Sequence, residues 1–152
     1  MKTGFITAAL IASAVLVSCK QAPKGGDTLK AQADSLYKAV LKGHDVAMSP
    51  SMKIPDLQKT AQHMVDSLAA LKGKAAEEAA PLKAKLEQLV NELDYADNAM
   101  NKWMMEMNWD SASNDLEQRV KYLTEEKLKV DKVKEAVLGS IAKADSLLNP
   151  KH

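Results

Sequence analysis

Two groups of soft or nitrogenous side chains stand out: His44, Met48 and Met52 at spacings of four, and Met100, Met104, Met105 and Met107 in one short stretch. Positions four apart share one face of a helix, so the first group would present an imidazole beside two thioethers. Such ligands suit Cu(I), which makes His44, Met48, Met52, Met100 and Met104 the candidate metal ligands. The competing reading is core packing, because methionine fills irregular gaps in helical interiors and Pro50 disturbs the spacing between Met48 and Met52. Core packing without a cofactor is the leading expectation, and a Cu(I)-binding protein of the periplasm is the alternative.

Catalytic constellations are lacking. The chain has 3 histidines, and neither His44 nor His63 follows a glutamate at the Glu-x-x-His spacing of dinuclear iron or manganese sites. No His-Glu-x-x-His zinc motif, phosphate-binding glycine loop or Gly-x-Ser-x-Gly elbow occurs. The pairs Glu77-Glu78 and Glu125-Glu126 read as solvated faces, since adjacent side chains on a helix diverge and cannot work as paired carboxylates. A non-enzymatic protein is expected. Lys and Arg number 21 against 20 Asp and Glu, so no cationic cluster favours nucleic acid.

The remaining chemistry belongs to Cys19, the only cysteine, which excludes an internal disulfide. Lys2, an apolar run over residues 5–17 and small residues after it have the order of a secretory signal, too short to span a bilayer comfortably. Leu16-Val17-Ser18-Cys19 resembles the lipobox of bacterial lipoprotein precursors. That resemblance implies cleavage before Cys19, a signal peptide over residues 1–18, and lipid, palmitate included, on the Cys19 thiol. Acyl chains contribute about 0.8 kcal/mol per buried CH₂, enough in combination to anchor a protein without a membrane span. On the same resemblance, Lys20, which is not aspartate, is compatible with transfer to the outer membrane, so an outer-membrane lipoprotein is expected, with the periplasmic face preferred. Pro23, Gly25 and Gly26 make residues 19–27 a flexible tether.

The elements that follow read as helices, and the fold class is all-α: an elongated antiparallel three-helix bundle over residues 28–149 with coiled-coil-like seams. Leu29, Ala33, Leu36, Val40 and Ala47 share a face of the first helix, widened by Tyr37, Leu41 and Met48. Pro50 and Pro55 interrupt it, and Leu57, Ala61, Met64, Leu68 and Leu71 resume the seam. Gly73 is a left-handed stop. Leu82, Leu86, Leu89, Leu93, Ala96, Met100, Trp103 and Met107 form the most regular stripe, with Pro81 in the first turn or at a kink and an end near Trp109. Trp103 falls on the seam, whereas Trp109 caps the helices or offers a contact surface.

Asn114 and Glu117 resemble a capping box for the third helix. Its face carries Leu116, Val120, Leu123, Val130, Val137, Ile141, Ala144 and Leu148, with Leu128 and Val133 alongside. Lys127 and Lys134 break the strict seam, their stems able to cover apolar surface. Seam patterns leave self-association open.

His44-Asp45-Val46-Ala47-Met48 with Pro50 and Met52, Met100-Asn101-Lys102-Trp103-Met104, and Tyr122-Leu123-Thr124-Glu125-Glu126-Lys127 carry a further resemblance. Together they resemble a family of small helical lipoproteins of Bacteroidetes-type bacteria, some catalogued as viral A-type inclusion proteins. The resemblance implies address and shape, with no activity and no catalytic residue. The resulting expectation is a lipid-anchored helical protein of the cell envelope, of structural or protein-interaction type, attached to the membrane through Cys19 and meeting an envelope protein or its own copies.

Overall fold

Proline and glycine mark the first two breaks between helices of this chain, near Pro50 and Pro55 and at Gly73, whereas the loop at 107–115 holds neither. A computed structural model describes residues 25–149, and within them the chain is all-helical, with four α-helices: α1 (Gly25–Ser51), α2 (Ile54–Ala69), α3 (Lys74–Glu106) and α4 (Leu116–Leu148). The count is four where the pattern suggested three, because the break at Pro50 separates α1 from α2. Pro50 sits inside the last turn of α1, Met52 and Lys53 form a turn, and the Lys53 N–H donates to the Pro50 carbonyl at 3.0 Å. Pro55 then falls in the first turn of α2, where its fixed φ suits the helix and its missing N–H costs nothing. Helix α1 begins at Gly25, before the Thr28 start expected from the pattern and inside the stretch read as a tether.

Gly73 has the positive φ expected of it, 62°, but with ψ of −141° it is the residue preceding α3 and not a left-handed stop of α2. Leu71, beyond the end of α2 at Ala69, is exposed and leaves the seam. Pro81 lies within α3, which runs through it to end at Glu106, short of Trp109. The cap of α4 is Asp115, whose side chain accepts from the Gln118 N–H at 3.0 Å; the expected Asn114–Glu117 box does not form. Asp115 wins because it has the extended backbone of a cap residue, one position closer to the first helical turn.

Helix α1 packs mainly on α4, α2 mainly on α3, and α3 on α4. Paired residues give the directions. Tyr37 and Gly43 of α1 meet Arg119 and Val130 of α4 in ascending order, so α1 and α4 run parallel and α1 runs antiparallel to α3. Glu92 meets Lys143 and Trp103 meets Glu126, so α3 and α4 are antiparallel too. The core joins Val40 and Ala47 of α1, Ile54 and Ala61 of α2, Leu86, Leu89, Leu93, Ala96 and Met100 of α3, and Leu123, Val130 and Val137 of α4. Among its members Ile54, Leu86, Leu93, Leu123, Val130 and Val137 are wholly shielded from solvent. Leu128, placed beside the seam by pattern, is exposed instead. No helix among the described residues is long and apolar enough to cross a membrane.

Candidate functional site

The polar centre of the molecule is built on Trp103. The stripe of α3 carries its indole into the core, where it is 4 % exposed. A buried indole N–H needs an acceptor, and it finds one across the helix pair: Trp103 Nε1 donates to Glu126 Oε2 at 2.9 Å. Glu126 is itself 3 % exposed, so the reading of Glu125-Glu126 as a solvated pair is corrected for its second member. Its other oxygen accepts from Lys129 Nζ at 2.7 Å. The carboxylate thus has one neutral and one cationic donor, which offsets the desolvation that a buried charge otherwise suffers. The same hydrogen bond to Glu126 raises the Lys129 pKa, against the opposing effect of burial.

Around this centre lies an aromatic ladder. The His44 ring is 5.8 Å from Trp103 and tilted by 36°, Trp109 stands edge-on to Trp103 at 6.2 Å, and Tyr37 stands edge-on to Trp109 at 5.6 Å. Arg119 places its guanidinium 5.8 Å above the Tyr37 ring and donates to the Ser111 carbonyl at 2.7 Å, tying the 107–115 loop to α4. Tyr122 works from the other side of that loop. Its hydroxyl accepts from the Asn108 N–H at 2.8 Å and lies 3.4 Å from Met107 Sδ. Trp109 is therefore a half-buried cap on the core, held between Tyr37 and Trp103.

The candidate metal ligands divide. His44 and Met48 lie one turn apart on the α1 ridge that also carries Tyr37; His44 meets Trp103 of α3, and Tyr37 meets Trp109 in the loop that follows α3. Met100 and Met104 flank Trp103 on α3, the first buried and the second at the surface. Met52 does not join them. Helix α1 stops at Ser51, and the turn before α2 leaves Met52 73 % exposed. Met105 is exposed as well, and Met107 is taken up by packing and by Tyr122. Among the described residues, no group of three or more His, Cys, Asp or Glu is gathered for a metal ion.

Two shallow grooves follow the α3–α4 pair. One of about 520 Å³ is bordered by Glu92, Tyr95, Ala136, Gly139 and Lys143, and the next, of about 340 Å³, reaches Trp103 and Lys129. Small residues on α4 hollow the first, and Tyr95 stands over it 65 % exposed. At its border Lys143 Nζ lies 2.5 and 2.6 Å from the two Glu92 oxygens. That contact holds the Glu92 carboxyl below the usual carboxylate range, with burial opposing and Gln88 assisting.

No protein-family profile, curated protein or solved structure matches this chain. The resemblance to small envelope lipoproteins therefore stands on the quoted motifs alone. Cys19, the signal segment and most of the tether lie outside the described residues.

Sequence reasoning missed Glu126 as the partner of Trp103 and Lys129 as the partner of Glu126. A signal was present, since Glu126 stands three residues after Leu123 and four before Val130, on the stripe of an unsupercoiled helix. A strict heptad puts Lys127 there instead. Lys127 and Lys134 are half-buried and both donate to Asp131 at 2.7 Å, so the lysines that interrupt the heptad flank the stripe.

Proposed function

We propose that this chain is a non-enzymatic, lipid-anchored helical module of the cell envelope, working as a structural or protein-interaction element on the outer membrane and facing the periplasm. The observation that carries the proposal is Leu16-Val17-Ser18-Cys19 placed directly after an apolar run, with no second cysteine to compete for the thiol. Its architecture on this reading is an elongated three-legged bundle, α1 and α2 forming one leg broken at Pro50, with α3 returning and α4 running alongside the first leg. The packing of α1 on α4 and of α2 on α3 supports that arrangement. The role then belongs to the outer surface of the bundle, and lipid on Cys19 confines that surface to the membrane's vicinity. Partners are an envelope protein or further copies of the chain.

The test begins with the anchor. Expressed in a lipoprotein-processing bacterium and grown with labelled palmitate, the full chain is expected to carry label and sediment with outer membranes. Cys19→Ala is expected to lose the label and to leave the outer-membrane fraction, remaining as uncleaved precursor in the inner membrane or as soluble protein. Equal outer-membrane retention of the variant refutes the anchor. Crosslinking in intact envelopes then tests the interaction role, and a chain recovered only as an uncrosslinked monomer speaks against it.

A further inference from the structure

We propose that His44, Met48, Met100 and Met104 form one soft-metal site, selective for Cu(I), against the indole of Trp103. The site goes beyond the anchoring role and is independent of it.

Register carries the argument. Moving from Tyr37 to His44 along α1 moves the aromatic partner from Trp109, in the loop after α3, back to Trp103 on α3 itself. One further turn along α1 is Met48, and the matching step back along α3 is Met100, while Met104 adjoins Trp103 at the level of His44. The antiparallel pair therefore sets one imidazole and one thioether of α1 against two thioethers of α3. Met48 is half-buried against the core, Met100 is buried, and Met104 is 36 % exposed, so the set runs from interior to surface.

Two polar contacts suit the same ligand. His44 Nδ1 lies 3.0 Å from Asp45 Oδ1, the kind of carboxylate-to-imidazole contact that leaves Nε2 to face a metal. Trp103 donates its N–H to the Glu126 carboxylate, which enriches the π-system and strengthens its attraction for a cation. A monovalent ion held by neutral thioethers and imidazole brings a single charge into the region, and the carboxylates of Asp45 and Glu126 lie one contact away to offset it. Thioether sulfur discriminates against hard cations such as Mg²⁺ or Ca²⁺. The exposed Met52 and Met105 play no part.

The test is a Cu(I) titration of the full-length chain in detergent, under reducing anaerobic conditions against a chromophoric competitor, with any free thiol alkylated beforehand. Alkylation makes the result independent of the state of Cys19. Expected are one equivalent bound, quenched tryptophan fluorescence, and shifts of the Met48, Met100 and Met104 methyl and His44 ring resonances while Met52 and Met105 stay still. His44→Ala, Met48→Leu and Met104→Leu should each weaken binding by about tenfold or more. Met→Leu nearly conserves volume, and melting of the unloaded variants checks the fold. Met52→Leu and Met105→Leu should bind as the parent does. Absence of stoichiometric binding overturns the proposal, and so do methyl shifts confined to the exposed methionines or equal affinity in Met48→Leu and Met104→Leu. The methyl shifts of the parent decide the case even if a variant fails to fold.

Discussion

Glu126 is held where a carboxylate is costly to keep, and its two donors differ in what their loss would do. Trp103→Phe keeps an aromatic ring in the core but removes the indole N–H, leaving Glu126 Oε2 without its 2.9 Å partner. The unmet acceptor and the lost volume should together cost about 2–3 kcal/mol, read as a lower urea midpoint at unchanged slope. Glu126→Gln retains an acceptor for the indole but turns an NH2 donor toward Lys129; because Lys129 is more than half exposed and can swing into water, the change should cost less, about 1 kcal/mol. A reversed order would mean that the lysine contact, not the indole hydrogen bond, holds the residue. Trp103 itself was legible in the sequence because it recurs with the leucines of its stripe. Glu126 was not, because charge suggests the surface and only the 3.6-residue period, applied against that expectation, places it inside. The methionines show the same limit: spacing put Met52 with Met48, and the end of α1 at Ser51 separated them.

At the scale of the helix, two glycines in helix interiors should respond oppositely to one substitution. A methyl group on Gly43 would come within 2.9 Å of Val130 Cγ1, since α1 and α4 approach closely there. Gly43→Ala gains about 1 kcal/mol of helix propensity but must displace the wholly buried, β-branched Val130 side chain, an overpacking that costs about 1–3 kcal/mol. A net loss of about 1 kcal/mol is expected, recorded as a lower melting temperature. Gly139 has nothing within 4 Å of the same position, because it lines the open α3–α4 groove. Gly139→Ala should therefore raise stability by close to the propensity difference, about 0.8–1.0 kcal/mol. Thermal or chemical denaturation of the two variants side by side checks both, and stabilisation by Gly43→Ala would mean that Val130 yields freely. Helices of this length and their apolar stripes were readable from period alone. The close approach at Gly43 was not, since it depends on which helix lies opposite, and neither was the choice of Asp115 over Asn114 as cap, which turns on one residue of backbone conformation.

For the molecule as a whole, α3 and α4 are fastened at two levels: the buried Trp103–Glu126 contact and, further along, the exposed Lys143–Glu92 pair. The second makes overall stability depend on pH in a defined direction. Lys143 holds the Glu92 carboxyl below its usual range, and Lys127 and Lys134 do the same for Asp131 on α4. A lowered folded-state pKa means that the unfolded chain binds protons first as pH falls. The stabilisation is thus complete above the ordinary carboxylate value near 4 and disappears as pH drops through the depressed values. At the alkaline end the sign is opposite for Lys129, whose raised pKa gives stability that is present below about 10 and lost as pH climbs through the folded value. The magnitude at Glu92 is small because Lys143 is more than half exposed and solvent screens the pair. A few tenths of a kcal/mol is the expected scale, up to about 1. Glu92→Gln should accordingly lie slightly below the parent at pH 7 in urea denaturation, and the gap should close as both proteins are acidified through the depressed range, where the parent carboxyl becomes protonated too. High salt at neutral pH should narrow the same gap. A difference that persisted unchanged in acid would assign it to packing of the Glu92 stem against α4 and would remove the ion pair from the account of how the two long helices are joined.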